Sequence, residues 1–187
     1  MEAPLIGVLA LQGNVREHAA MLERLDANVC EVRKPEQLAA LDGLVIPGGE
    51  STTFTRLMAL SGLDRALADF APPVFGTCAG MIVLDRDHLG LVDISVRRNA
   101  FGRQVASFEA DLELAGEPEP LRGVFIRAPW IEEAGPEVEL LASLDGHPVA
   151  AREGRFLVCA FHPELCGETR LHALFLESVQ EWRCVRA

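Results

Sequence analysis

Three short stretches hold residue types that could carry out nucleophilic chemistry together. The first is Phe75-Gly76-Thr77-Cys78-Ala79-Gly80, a cysteine among small residues at the junction of an apolar run and a helical pattern. A sharp strand-to-helix turn exposes a nucleophile in a strained backbone, and only small neighbours fit around it. The N–H groups and positive dipole end of the helix that follows favour thiolate, and the N–H of Ala79 points to where an oxyanion would form. The second stretch is Phe161-His162-Pro163-Glu164, after the apolar run Phe156 to Ala160. Two apart in an extended chain, His162 and Glu164 would project the same way. An imidazole there can take a thiol proton while the carboxylate fixes its tautomer. The third is Ile46-Pro47-Gly48-Gly49-Glu50-Ser51, whose glycines allow positive φ and close backbone approach. Such a loop offers N–H donors to an anion, but it lacks the Gly-Lys-Ser/Thr element of a phosphate loop. Each stretch alone has a plainer reading: a small buried thiol, a capped strand-end histidine, an ordinary turn. Their co-occurrence favours the chemical one.

Arginines near Arg97 to Arg103 and in Phe125-Ile126-Arg127-Ala128-Pro129 supply guanidinium groups that could bind the carboxylate of an amino-acid substrate. The remaining histidines, His18, His88, His147 and His172, fall on helical or turn patterns and are expected at the surface. The five cysteines are odd in number and contain no CxxC pair. A disulfide framework or a metal site is therefore not expected, and a reducing cytoplasmic setting is.

The elements that must position these residues follow from periodicity. Leu5 to Leu11 reads as a buried strand rather than a signal peptide. Val15 to Leu25 has helical spacing, Val29 to Val32 and Leu44 to Ile46 are strands, and Ser51 to Leu60 is a helix capped by Ser51 or Thr52. Val74 to Thr77 is a strand that runs into a helix over Ala79 to Leu84. This alternation implies a parallel sheet covered on both faces. The second half reads as strands at Leu91 to Val96, Val105 to Leu114, Gly123 to Ile126, Val138 to Ala142, Pro148 to Arg152 and Phe156 to Phe161. Turn residues such as Asp145-Gly146 suggest antiparallel hairpins. A helix from about Glu168 to Trp182 closes the chain. The expected fold is a three-layer α/β, flavodoxin-like domain over residues 1–187, with a mostly parallel sheet and added antiparallel strands.

Composition narrows the function classes. The chain has 187 residues, 49% of them hydrophobic, and a net charge of −11. Such acidity disfavours nucleic acid and anionic membrane surfaces as partners. Mean hydropathy is +0.18, yet no apolar run approaches the ~20 residues of a spanning helix.

The order of Gly-Gly loop, cysteine elbow and His-x-Glu resembles the class I, triad-type glutamine amidotransferases. A closer resemblance, over nearly the whole chain, is to the glutaminase subunits of pyridoxal 5′-phosphate synthase. It rests on Gly7-Val8-Leu9-Ala10-Leu11-Gln12-Gly13, Glu17-His18, Pro47 to Thr53, Gly76 to Gly80, Arg98-Asn99-Ala100-Phe101-Gly102-Arg103-Gln104, Ser107-Phe108-Glu109, Phe125 to Pro129 and His162 to Leu165. The resemblance implies Cys78 as nucleophile, His162 as general base and Glu164 as its orienting partner. It implies a glutamine pocket from Gly48, Gly49, Glu50, Ser51, Arg98, Ile126 and Arg127, and an oxyanion hole from the backbone of Gly49 and Ala79. Gln12 would lie near the contact with the synthase subunit, whose docking would complete that hole. Neither metal nor organic cofactor is implied. The chain departs from the family in a short segment between Met81 and Leu91. Other readings at this point are a glutaminase serving a different acceptor, another cysteine hydrolase such as a peptidase, and a non-catalytic subunit on the same fold.

Overall fold

The structure is a computed structural model that describes residues 2–101 and 107–186. Its first strands are β1 (Leu5–Leu9), β2 (Asn28–Val32), β3 (Gly43–Ile46) and β4 (Val74–Thr77). They are followed by β5 (Ile94–Arg97), β6 (Ser107–Leu112), β7 (Leu121–Ile126), β8 (Trp130–Ala134), β9 (Glu139–Leu144), β10 (His147–Glu153) and β11 (Phe156–Cys159). The helices are α1 (Val15–Glu23), α2 (Ser51–Ser61), α3 (Leu63–Ala68), α4 (Ala79–Leu84) and α5 (Arg170–Arg186), with 3₁₀ turns at Pro35–Ala40 and Pro163–Leu165.

The main sheet has seven strands in the order β2-β1-β3-β4-β11-β10-β9. Its first five strands run parallel, and β10 and β9 are antiparallel additions. Every residue of β3, β4 and β11 is buried, as expected for strands covered on both faces. Successive residues of β4 show the two layers, because their side chains point to opposite faces. Phe75 packs against Phe175 and His172 of α5 and the edge of His18 of α1. A side chain at Gly76 would instead run into Gly80 and Leu84 of α4. Helix α2 packs on α4 and so belongs to that second layer.

Chain order places β2 on one side of β1 and β3 on the other. The carboxyl ends of β1, β3, β4 and β11 therefore open into one crevice at a switch point, where α/β sheets carry their ligands. Two small antiparallel ribbons, β5–β8 and β6–β7, roof this crevice. They are held by an aromatic cluster in which Phe101 meets Phe108, Phe125 and Trp130, and Phe125 meets Phe161.

Several sequence expectations shift. The first strand stops at Leu9, so Ala10 to Asn14 form the turn that enters the crevice. Strand β5 begins at Ile94 rather than Leu91, and Trp130–Ala134, α3 and the 3₁₀ turn at Pro35 were not anticipated. Val105 and Gly102-Arg103-Gln104 lie outside the described residues. Helix α2 is capped by Glu50, not by Ser51 or Thr52: the Glu50 carboxylate accepts from the N–H groups of Thr52 and Thr53. Its longer side chain reaches back over the first turn, while Ser51 turns inward and is buried.

Candidate active site

Cys78 stands between β4 and α4 with φ 48° and ψ −102°, a backbone region costly for a residue with a Cβ. The elbow tolerates this because it is clamped. Its N–H donates to the Cys159 carbonyl at 2.7 Å. Two residues on, a Cβ at Gly80 would collide with the Ile46 carbonyl, so only glycine lets α4 start against β3. The Cys78 side chain is almost fully buried and lines the crevice. Ala79 is the first residue of α4, so its N–H has no partner inside the helix.

His162 follows β11 and is fixed by its N–H, which donates to the Val124 carbonyl at 2.8 Å. Its ring lines the same pocket as Cys78, and the two side chains interact strongly enough to raise the imidazole pKa. The other side of the ring, Nδ1, sits 2.7 Å from Glu164 Oε1. The pair does not meet along an extended strand, as the two-residue spacing suggested. The strand ends at Cys159, and Pro163 starts a 3₁₀ turn that folds the carboxylate back under the ring. Asn14 Nδ2 donates to the same Glu164 oxygen at 2.9 Å and stands 3.3 Å from His162 Nδ1.

The electrostatics agree with this geometry. Burial pulls the His162 pKa down, but hydrogen bonds and charge from Cys78 and Glu164 overcome it and raise the group to about 10. Burial pushes the Glu164 carboxyl up, but the facing imidazoles of His18 and His162 and the Asn14 amide hold it at about 2. At neutral pH the carboxylate is thus ionised and the imidazole carries a proton, poised for delivery to a leaving group.

A pocket of about 240 Å³ lies in front of the sulfur, lined by Gly48, Gly49, Glu50, Ser51, Arg98, Ile126, Arg127 and His162. That is below the roughly 300–1,000 Å³ typical of drug-sized sites and suits a molecule the size of an amino acid. The sequence had not singled out Asn14, Ile82 or Asn99, which also line it. The Gly-Asn turn after a buried strand was the available signal for Asn14. Arg98 reaches Glu50 Oε1 at 3.5 Å and Thr52 Oγ1 at 3.4 Å, bracing the rim. Asn99 and Arg127 both hold positive φ, 48° and 45°, where the two ribbons turn over the pocket. Gln12 lies against Gly49, and its amide donates to the Glu50 carbonyl. Among the described residues, no group of three or more His, Cys, Asp or Glu side chains is arranged to hold a metal ion, and no helix is long and apolar enough to cross a membrane.

Two histidines depart from expectation. His18 and His172 are fully buried behind Glu164 instead of lying at the surface. His18 lies three residues after Val15 and four before Leu22, and His172 three before Phe175, so both share the core-facing side of their helices.

Glu50 links the helix cap to the rim. Glu50→Ala should fray the first turn of α2 and release Arg98, raising KM for substrate more than it lowers kcat. Steady-state kinetics checks this, and an unchanged KM would show that Glu50 does not shape the pocket.

A cysteine elbow, an imidazole and a carboxylate at the carboxyl edge of a mostly parallel sheet define a cysteine hydrolase of the glutamine amidotransferase class. The SNO glutamine amidotransferase family matches residues 8–181, and the chain belongs to it. The chain is 52% identical over 190 residues to the pyridoxal 5′-phosphate synthase subunit PdxT of Mycobacteroides abscessus, covering 95% of this chain and 98% of that one. It is 54% identical over 186 residues to the PdxT subunit of Geobacillus kaustophilus, covering 94% and 95%. A crystal structure of a glutamine amidotransferase superposes with a TM-score of 0.88 at 45% identity, covering 94% of this chain and 98% of that one.

Proposed function

We propose that this chain is the glutaminase subunit of a pyridoxal 5′-phosphate synthase, which hydrolyses L-glutamine to L-glutamate and passes the ammonia to its synthase partner. The observation that carries the reading is the meeting of Cys78, from one strand end, with His162 and Glu164, from another, beside a pocket sized for one amino acid. The names of its full-length relatives support the acceptor. The reaction is placed in the cytoplasm, without membrane, nucleic acid, metal or organic cofactor.

The Cys78 thiolate attacks the carboxamide carbon of glutamine. The oxyanion is met by the N–H groups of Ala79 and Gly49. The His162 imidazolium gives its proton to the amide nitrogen, the C–N bond breaks, and ammonia leaves a γ-glutamyl thioester. Water then attacks the thioester carbon, and neutral His162 takes its proton. The thiolate departs, glutamate is released, and the starting ion pair is restored. Glu164 keeps the imidazole in the orientation that serves both steps. Arg98 and Arg127 line the pocket and would bind the α-carboxylate of the substrate.

The Gly49–Glu50 backbone is the adjustable part. Gly49 has φ 153°, and the Glu50 carbonyl is held by Gln12. A partner that docks at Gln12 could reset this peptide and complete the oxyanion hole, and one such donor is worth about 10²–10³ in rate. Glutamate release should therefore be slow for the isolated chain and faster by about that factor once the synthase subunit is added. A coupled glutamate assay with and without the partner measures it. Equal rates would refute gating, and no hydrolysis in either case would refute the glutaminase reading.

A further inference from the structure

Behind the site lies a buried chain of groups that the mechanism above leaves unused. His18 Nε2 stands 3.5 Å from Glu164 Oε1 and 3.1 Å from Thr77 Oγ1. His18 Nδ1 stands 2.9 Å from His172 Nε2. Both histidines have no exposed surface. Among the described residues Glu164 Oε2 has no hydrogen-bond partner, and the carboxylate is held through Oε1, by Asn14, His162 and the approach of His18.

The tautomers follow from charge. If His18 Nε2 lacked a proton, its lone pair would face an ionised carboxylate, which is repulsive. Nε2 therefore carries the hydrogen, with Thr77 Oγ1 at 3.1 Å as its hydrogen-bond partner and Glu164 Oε1 at 3.5 Å in the field of the N–H dipole. Nδ1 must then accept, and His172 Nε2–H must donate to it. That leaves His172 Nδ1 as a bare acceptor. Among the described residues it has no partner meeting hydrogen-bond geometry, with the Glu168 backbone on that side. The charge of Glu164 decides between the two arrangements, because turning both rings over would aim the His18 Nε2 lone pair at the carboxylate.

We infer that His18 is a positioning residue for the glutaminase reaction: oriented by His172, it directs an N–H at Glu164 and so fixes the carboxylate that aims His162 at the Cys78 sulfur. The inference rests on the glutaminase reading of this site. Burial pulls the pKa of His18 down and that of His172 down to about 3, so both rings are neutral at working pH and act as dipoles. The charged or titratable groups that face His18 are Glu164, His162, Glu17 and His172. Only Glu164 and Glu17 oppose the lowering by burial, and the ring remains neutral despite them.

The test uses the chain assembled with its synthase partner and L-glutamine as substrate. His18→Leu keeps an apolar filling but removes the donor. Its kcat should fall about 10- to 100-fold, as expected for loss of a donor that orients a charged group, with KM unchanged. Without the His18 dipole the Glu164 carboxyl rises, so the acid limb of the pH–kcat profile should move to higher pH. His18→Gln can place an amide N–H near the position of Nε2 and should recover most of the rate and restore the limb. His172→Phe keeps a ring in the core but lets His18 turn; it should lose a smaller share of kcat and shift the limb in the same direction. Wild-type kcat and acid limb in His18→Leu would overturn the inference. So would equal losses in His18→Leu and His18→Gln with the limb unmoved, which would mark a packing role alone. If His18→Leu does not fold, His172→Phe decides: an unmoved limb and undiminished kcat overturn the inference, and a shifted limb with lower kcat supports it. Absence of glutamine hydrolysis by the wild-type complex would instead sink the functional reading.

Discussion

In the Cys78→Ala variant, glutamate release in the presence of the synthase partner falls by about 10⁴–10⁶-fold, the range lost when a triad nucleophile is removed. The fold should survive, because the substitution keeps the Cβ and deletes only a buried sulfur in front of the pocket. The same variant carries a second, independent readout. His162 owes part of its raised pKa to the hydrogen bond and charge of Cys78. Removing the sulfur leaves burial opposed by Glu164 alone, so the imidazole should titrate below the wild-type value of about 10. Proton NMR of the His162 ring follows this directly. The sign also governs stability. A raised pKa stabilises the fold fully below the ordinary imidazole value of 6.5, and that share is lost as pH rises through about 10. In Cys78→Ala the loss should be smaller and complete at lower pH, visible in thermal midpoints measured between pH 6 and 10. Full glutaminase activity in this variant would remove Cys78 from the chemistry. An unmoved His162 titration would show that the ring and the sulfur do not interact.

The strands of the parallel half were legible because each carries a complete local signal. Strands β3, β4 and β11 are short apolar runs cut off by Gly-Gly, by Cys-Ala-Gly and by His-Pro, and burial on both faces leaves no alternation to misread. The β9–β10 hairpin was legible for a different reason. Asp145 and Gly146 hold φ of 51° and 80°, the pair of positive values that a two-residue hairpin turn demands and that Asp-Gly supplies. Helix α3 was hidden because Gly62 closes α2 in a left-handed conformation and at once opens the next helix, whose six residues carry too short a pattern to stand out after Leu60. Strand β8 was hidden because it is mostly solvated and paired only with β5, with little apolar patterning of its own.

The site itself was legible at its front and not at its back. Cys78, His162 and the Gly48–Ser51 loop sit at strand ends, where residue type and neighbours announce a turn with chemistry in it. The groups that hold Glu164 from behind come from α1, from the turn before it and from α5, more than 140 residues away in sequence from their partners. The local mark of His18's burial is its place on the apolar stripe of α1, and a histidine there reads as polar and so as exposed. What decides its burial is a carboxylate that only the folded chain brings to it.

The same dependence on long-range placement makes Gly48→Ala the second large effect. A Cβ at Gly48 would fall on the His162 ring, colliding with Cε1 and lying 3.0 Å from Nδ1 and 3.2 Å from Nε2. The ring cannot simply retreat, since Nδ1 is tied to Glu164 and the backbone N–H to Val124. The loop cannot retreat either, because the Gly48 carbonyl is packed against Gly13, where even a methyl group would clash. The conflict is therefore resolved by tilting the imidazole away from the sulfur, and a misplacement of about 1 Å in a catalytic group costs about 10²-fold or more. We expect kcat to fall by about 10²–10⁴-fold, with a stability loss of about 1–3 kcal/mol from overpacking. Cys78 stays in front of the pocket, so it should still be alkylated by iodoacetamide while turnover is lost. That separates a displaced ring from an unfolded chain. Wild-type kcat in a folded Gly48→Ala variant would mean that the ring has room to move, and that the contact between this glycine and His162 does not set the geometry of catalysis.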